Sequence, residues 1–125
     1  MKIGILGVTG RMGRAIGNAA AEAGVAVAGG IDREGHVHGG HGDAASLAAA
    51  CDVLVDFSAV EAFETHLRIA VDAGRPILIG TTGLQPEHHA AIGEAAQTIP
   101  VLQSANTSLG INLLRGLVEQ AAARL

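Results

Sequence analysis

The sequence predicts an α/β fold, a doubly wound parallel sheet in three α/β/α layers, and three observations predict it. Short apolar segments alternate with helix-length segments along all 125 residues, the pattern of successive βα units. The first of these segments runs directly into a glycine turn, Gly7-Val8-Thr9-Gly10-Arg11-Met12-Gly13. The apolar content is mostly Ala, Val, Ile and Leu, with Phe57 and Phe63 the only aromatic residues. Small branched side chains suit a sheet covered closely on both faces.

Residues 2–6 read as a fully buried first strand, without alternation. A helix follows from about Arg11 to Glu22, with Met12, Ile16, Ala19 and Ala20 as its apolar stripe and Gly24 as its stop. Val25 to Ile31 form a second strand that ends at Asp32-Arg33-Glu34, and residues 35–43, with four glycines, read as a mobile loop. A short helix over 44–50 leads to a strand at 52–57. Ser58 is placed to cap a helix over about 59–73, with Glu61 as the other half of a capping box. Pro76 to Ile79 form a strand ending in Gly80-Thr81-Thr82-Gly83, and Pro86 stands in the first turn of a helix over 86–97. A fifth strand over 100–103 and a helix from 109 toward 123 complete the chain. Right-handed crossovers place the loops at 7–13, 32–33, 56–58, 80–83 and 103–108 along one edge of the sheet.

Composition excludes several classes of function. The chain is 49% hydrophobic and 16% charged, so it is not disordered. A formal charge of -4 with scattered arginines gives no case for nucleic acid or an anionic membrane as the main partner. Cys51 is the single cysteine, which rules out an internal disulfide. No apolar run approaches the roughly 20 residues of a membrane span, and the N-terminus lacks the pattern of a secretory signal. The expected location is the cytoplasm.

The glycine turn points to a dinucleotide. Gly7 lets the chain turn out of the strand, Gly10 clears space for a pyrophosphate at the helix N-terminus, and Gly13 lets the helix approach the sheet. The spacing G-x-x-G-x-x-G departs from the usual G-x-G-x-x-G, and no Gly-Lys-Ser/Thr follows, which excludes a P-loop. Arg11 falls near the phosphates. Asp32 stands about 20 residues beyond Gly10, where an acid would hold the ribose hydroxyls of the adenosine half. Arg33 beside it is suited either to the adenine face or to a 2′-phosphate, so the pair predicts use of both NADH and NADPH. Asp56-Phe57-Ser58 is placed to line the groove, with Ser58 equally suited to a helix cap. Gly80, Thr81 and Thr82 offer close backbone approach and hydroxyls to the nicotinamide ribose and carboxamide. Ser104, Ala105, Asn106 and Thr107 close that end.

Taken together, Gly7 to Gly13, Asp32-Arg33-Glu34-Gly35, Asp56-Phe57-Ser58, Gly80 to Gly83 and Asn106-Thr107-Ser108-Leu109-Gly110-Ile111-Asn112 resemble the 4-hydroxy-tetrahydrodipicolinate (dihydrodipicolinate) reductase family. The resemblance covers the whole chain. It implies a Rossmann-like domain and a reductase that takes hydride from NADH or NADPH in the diaminopimelate route to lysine. It implies cofactor contacts at Gly7, Val8, Thr9, Gly10, Arg11, Met12, Asp32, Arg33, Gly80, Thr81, Thr82, Ser104, Ala105, Asn106 and Thr107. Asp32 is shorter than the Glu common at its position, and Thr107 replaces a common Phe. The family's second domain, with its His-His pair, Lys and dicarboxylate-binding loop, has no counterpart in these residues. The expectation is therefore a cofactor-binding unit over 1–108 and a connecting helix over 109–125, with no catalytic residue and no metal site. Such a chain is expected to be inactive alone. Family members bind a small dicarboxylate substrate and assemble as homotetramers through the second domain.

Other residues invite different readings. His88-His89 is expected on a solvated helix face. His36, His38 and His41 sit in a glycine-rich loop without a matched acid or cysteine frame, which makes a poor metal site. Cys51 is expected to be buried and inert. The alternatives to a reductase domain are a dinucleotide-sensing module without catalysis and another small dehydrogenase of the same fold. The paired loops at 80–83 and 104–108, needed only at the nicotinamide end, favour the reductase.

Overall fold

The computed structural model describes residues 1–104 and 106–124. Its strands are β1 (Lys2–Leu6), β2 (Ala26–Ile31), β3 (Val37–His38), β4 (Val53–Asp56), β5 (Ile77–Ile79) and β6 (Val101–Gln103). Its helices are α1 (Arg11–Glu22), α2 (Ala44–Ala49), α3 (Phe63–Asp72, preceded by a 3₁₀ turn over Val60–Ala62), α4 (Pro86–Ala95) and α5 (Leu109–Ala122). The sheet runs β3-β2-β1-β4-β5-β6. Every pairing is parallel except β2 with β3. The chain goes from β1 outward to β2 and β3, then crosses back to β4, so the topological switch point lies between β1 and β4. In open α/β sheets this is where ligands bind.

Alternation along the strands divides the core between two faces. Leu6, Ile31, Leu54, Ile77 and Ile79 pack with Leu47 and Ala48 of α2, Phe63, Leu67 and Ala70 of α3 and Ala95 of α4. Ile3 and Ile5 point the other way, onto Ala20 and Ile16 of α1 and alongside Val53 and Val55. Leu102 on edge strand β6 is 62% exposed, and α5 carries a run of exposed apolar side chains from Ile111 to Val118. Among the described residues no helix is long and apolar enough to cross a membrane.

Four details differ from the sequence reading. First, there are six strands rather than five, and residues 35–43 are not an unstructured loop. Val37 and His38 pair antiparallel with Ile31 and Gly30, closing a hairpin in which Asp32 N–H donates to the His36 carbonyl at 3.0 Å and Gly35 N–H to the Asp32 carbonyl at 3.1 Å. Second, the buried face of α1 is Gly13, Ile16, Gly17 and Ala20, while Met12 and Ala19 are exposed. A Cβ at Gly13 would collide with the Gly7 carbonyl oxygen, so the first turn of the helix sits against the glycine turn, while one at Gly17 would only make ordinary contact with Ile5. Third, Ser58 caps no helix. Ala59 precedes the 3₁₀ turn and Ala62 precedes α3, neither with a side-chain cap, because Ser58 is drawn back to Asp56. Fourth, His88 is not solvated: its side chain is 13% exposed and meets the Phe63 ring edge-on at 5.5 Å.

Candidate functional site

Two cavities open along the C-terminal edge of the sheet, one on each side of Phe57 and Ser58. The first, of about 450 Å³, is lined by Gly7, Thr9, Gly10, Asp32, Arg33, Glu34, Phe57, Ser58, Ala59, Ala62 and His66. The second, of about 710 Å³, is lined by Arg11, Met12, Phe57, Ser58, Gly80, Thr81, Thr82, Asn106, Thr107 and Ser108. Both fall within the size range of small-molecule sites. Phe57 and Ser58 belong to both, so the two form one groove that crosses the switch point.

The glycine turn forms the near wall. Gly7 has φ +91°, and a Cβ there would meet the Phe57 carbonyl oxygen at 2.7 Å. Gly7 and Val8 N–H groups both donate to the Ile31 carbonyl, at 2.8 and 3.0 Å, which ties the turn to the end of β2. A Cβ at Gly13 would collide with the Gly7 carbonyl oxygen and lie 2.8 Å from Val8 Cα. Gly10 differs: a Cβ there would meet only the Gly7 carbonyl oxygen, at 3.2 Å. Packing within the chain constrains this position less than Gly7 or Gly13. Gly10 is also the N-cap of α1, with no side-chain cap and no acid in the first turn. The helix therefore presents free N–H groups and the positive end of its dipole beside the first cavity. That arrangement fits an anion.

Asp32 lies at the end of β2 with its side chain 8% exposed. Its Oδ1 accepts from the backbone N–H of Glu34 at 3.0 Å and of His36 at 2.8 Å. Its Oδ2 lies 2.8 Å from His38 Nε2 and 3.3 Å from His36 Nδ1. The His38 hydrogen bond, aided by the backbone N–H and ring of His36, outweighs burial and holds the carboxyl at about 2. An acid partner for His36 and His38 is not evident in the sequence; the hairpin brings both onto Asp32, while His41 lies against the Ala28 carbonyl. Asp32, Glu34 and His36 place potential ligand atoms within 4.8 Å of one another, yet the Asp32 oxygens already serve the turn.

Beneath the groove lies a buried polar network. Asp56, fully buried, accepts at Oδ1 from Ser58 N–H at 2.9 Å, Ser58 Oγ at 2.6 Å and Thr81 Oγ1 at 3.1 Å. Ser58 gives its proton to Asp56, so the 3.0 Å contact between Ser58 Oγ and His66 Nδ1 requires a donor at Nδ1. Asp56 Oδ2 has no hydrogen-bond partner and sits 3.5 Å from the same nitrogen.

Comparison with known proteins decides the family. Residues 1–107 match the family described as dihydrodipicolinate reductase, N-terminus. The chain belongs to that family. The 4-hydroxy-tetrahydrodipicolinate reductase of Zymomonas mobilis is 49% identical over 125 residues, which is 100% of this chain and 49% of that protein. The protein of the same name from Acidiphilium cryptum is 42% identical over 100% of this chain and 48% of its own length. That from Halorhodospira halophila is 40% identical over 96% of this chain and 51% of its own length. The chain thus spans about half the length of the curated relatives it matches.

The positions that the family resemblance singled out occupy distinct places. Gly7, Thr9, Gly10, Asp32 and Arg33 share the first cavity. Arg11 and Met12 line the second with Gly80, Thr81, Thr82, Asn106 and Thr107. Val8 turns its side chain into the α1 core instead. Thr81 is 4% exposed with its hydroxyl committed to Asp56, whereas Thr82 is exposed. Ser104 Oγ donates to the Asn106 carbonyl at 3.2 Å, and Ala105 lies outside the described residues. His66 does not stand out in the sequence as a site residue. Its signal was faint: with Phe63, Leu67 and Ala70 it makes the buried stripe of α3, and a histidine on that stripe needs a polar partner.

Proposed function

We propose that this chain is the dinucleotide-binding part of a reductase that delivers hydride to 4-hydroxy-tetrahydrodipicolinate, giving tetrahydrodipicolinate in the diaminopimelate route to lysine. In this reading residues 1–108 hold the cofactor and residues 109–125 form a helix leading from it. The observation that carries the proposal is the single groove across the switch point, with an uncapped helix N-terminus at its middle. The pyrophosphate lies against Gly7, Gly10 and the first N–H groups of α1. The adenosine half takes the first cavity, beside Arg33. The nicotinamide half takes the second, between Thr82 and Asn106. Both NADH and NADPH are expected to bind, because Arg33 lines the first cavity and is available to a 2′-phosphate.

The bound nicotinamide supplies the hydride. Thr82, Asn106 and Thr107, which line the second cavity, would hold the ring. Hydride transfer also needs a positioned, protonated acceptor, and the residues described offer no such clamp. The chain alone is therefore expected to bind cofactor without useful turnover, and a normal reductase rate for this polypeptide would sink that part of the reading. Binding is tested by titrating the folded chain with NADH and NADPH and following cofactor fluorescence. The absence of Trp and Tyr leaves no Trp or Tyr emission to overlap the signal. Saturable binding of both supports the proposal; a folded chain that binds neither refutes it.

A further inference from the structure

We propose that His36 and His38 shift the cofactor preference of this chain toward NADPH, by withdrawing the Asp32 carboxylate from ribose recognition. The inference rests on the dinucleotide reading above. A carboxylate has about four acceptor directions, and Asp32 spends them on its own hairpin. The backbone N–H groups of Glu34 and His36 take Oδ1, and the rings of His38 and His36 face Oδ2 at 2.8 and 3.3 Å. The two rings are 47% and 75% exposed while the carboxylate they cover is 8% exposed. Asp32 lines the first cavity and neither ring does, so what the histidines take from it is acceptor capacity rather than contact with the groove.

A free acid at this strand end does two things in a dinucleotide site. It accepts hydrogen bonds from the ribose hydroxyls, which favours NADH, and it repels a 2′-phosphate, which disfavours NADPH. With its oxygens filled by these contacts, Asp32 offers a ribose hydroxyl no free acceptor, which removes the feature that would favour NADH. Arg33 lines the same cavity, is exposed, and makes no ion pair among the described residues. Its guanidinium presents a donor fork suited to a phosphate. Glu34 is the other acid on this cavity, but it is exposed, so solvent and salt screen its charge. The balance at the end of β2 therefore favours a phosphate over a diol.

The test measures Kd for NADH and NADPH at fixed pH and ionic strength for the chain, the His36→Ala/His38→Ala variant and His38→Gln. The unchanged chain is expected to bind NADPH more tightly. Releasing Oδ2 in the double variant is expected to lower the NADPH-over-NADH preference about tenfold, the worth of one charged hydrogen bond. His38→Gln keeps an N–H donor at similar reach and is expected to retain the original preference. If the double variant does not fold, His38→Ala carries the test, with an expected drop of about threefold. A folded variant whose preference stays within about twofold of the original overturns the inference, as does tighter binding of NADH by the unchanged chain. Failure of the unchanged, folded chain to bind either dinucleotide overturns the reading beneath it instead.

Discussion

Gly80→Ala tests whether the two cavities are held in register through Phe57. A Cβ at Gly80 would fall against Cε1 and Cζ of the Phe57 ring and 2.8 Å from its Cδ1. Ordinary carbon contacts lie at about 3.5–4.0 Å, so the ring or strand β5 must move by roughly 1 Å. Strand β5 cannot yield easily. Ile77 and Ile79 are fully buried, and the Gly80 N–H is fixed to the Asp56 carbonyl at 2.8 Å. The ring moves instead, into space that both cavities share. Overpacking of this kind costs about 1–3 kcal/mol, which for a domain of this size lowers Tm by roughly 4–12 °C. Urea unfolding of the chain, Gly80→Ala, Phe57→Ala and the double variant forms a cycle that isolates the clash. With the ring removed, the cost of Gly80→Ala is expected to fall below about 0.5 kcal/mol. A single variant as stable as the original chain, or an equal cost in both backgrounds, refutes the reasoning.

Asp56→Ala strips three donors of their acceptor, the Ser58 N–H, the Ser58 hydroxyl and the Thr81 hydroxyl, and is expected to cost about 3 kcal/mol or more by urea unfolding. The Asp32 carboxyl, held at about 2 in the fold against an ordinary 3.8, binds a proton more readily when unfolded. Its stabilising contribution is complete above about pH 4 and is lost as pH falls toward 2; acid unfolding followed by circular dichroism is expected to lose that component in Asp32→Asn. Cys51 is 2% exposed, its thiol donates to the Leu47 carbonyl at 3.0 Å, and burial pushes its pKa up. A thiol reagent at neutral pH is expected to label it only as fast as the chain opens, and rapid labelling of folded protein would contradict the burial.

What the sequence made legible is what depends on near neighbours. The strand, glycine turn and first helix are adjacent in the chain, and Gly7 and Gly13 there each have a local steric reason. The alternation of apolar strands with helices placed five parallel strands and the loops at their C-terminal ends. The sixth strand was hidden because a two-residue segment has no period. Val37 and His38 become a strand only because Asp32 gathers the hairpin around its carboxylate. The inner face of α1 was misread for a related reason. A hydrophobicity pattern favours Met12 and Ala19, whereas close approach to the glycine turn requires Gly13, and approach distance is a tertiary quantity.

Ser58 shows where local rules lose to a buried charge. Capping a helix end is worth about 1 kcal/mol, while leaving a buried carboxylate short of donors costs more. Asp56, fully buried at the end of β4, therefore claims the Ser58 N–H and hydroxyl, and the helix starts late behind a 3₁₀ turn. The same oxygen also claims the Thr81 hydroxyl from the next strand. One atom thus fixes the loop that lines the first cavity and the loop that lines the second. Their spacing is set at the switch point by a fully buried group. A dinucleotide spanning the groove would meet two half-sites whose separation is already determined, and that preorganisation lowers the entropic cost of binding both halves at once.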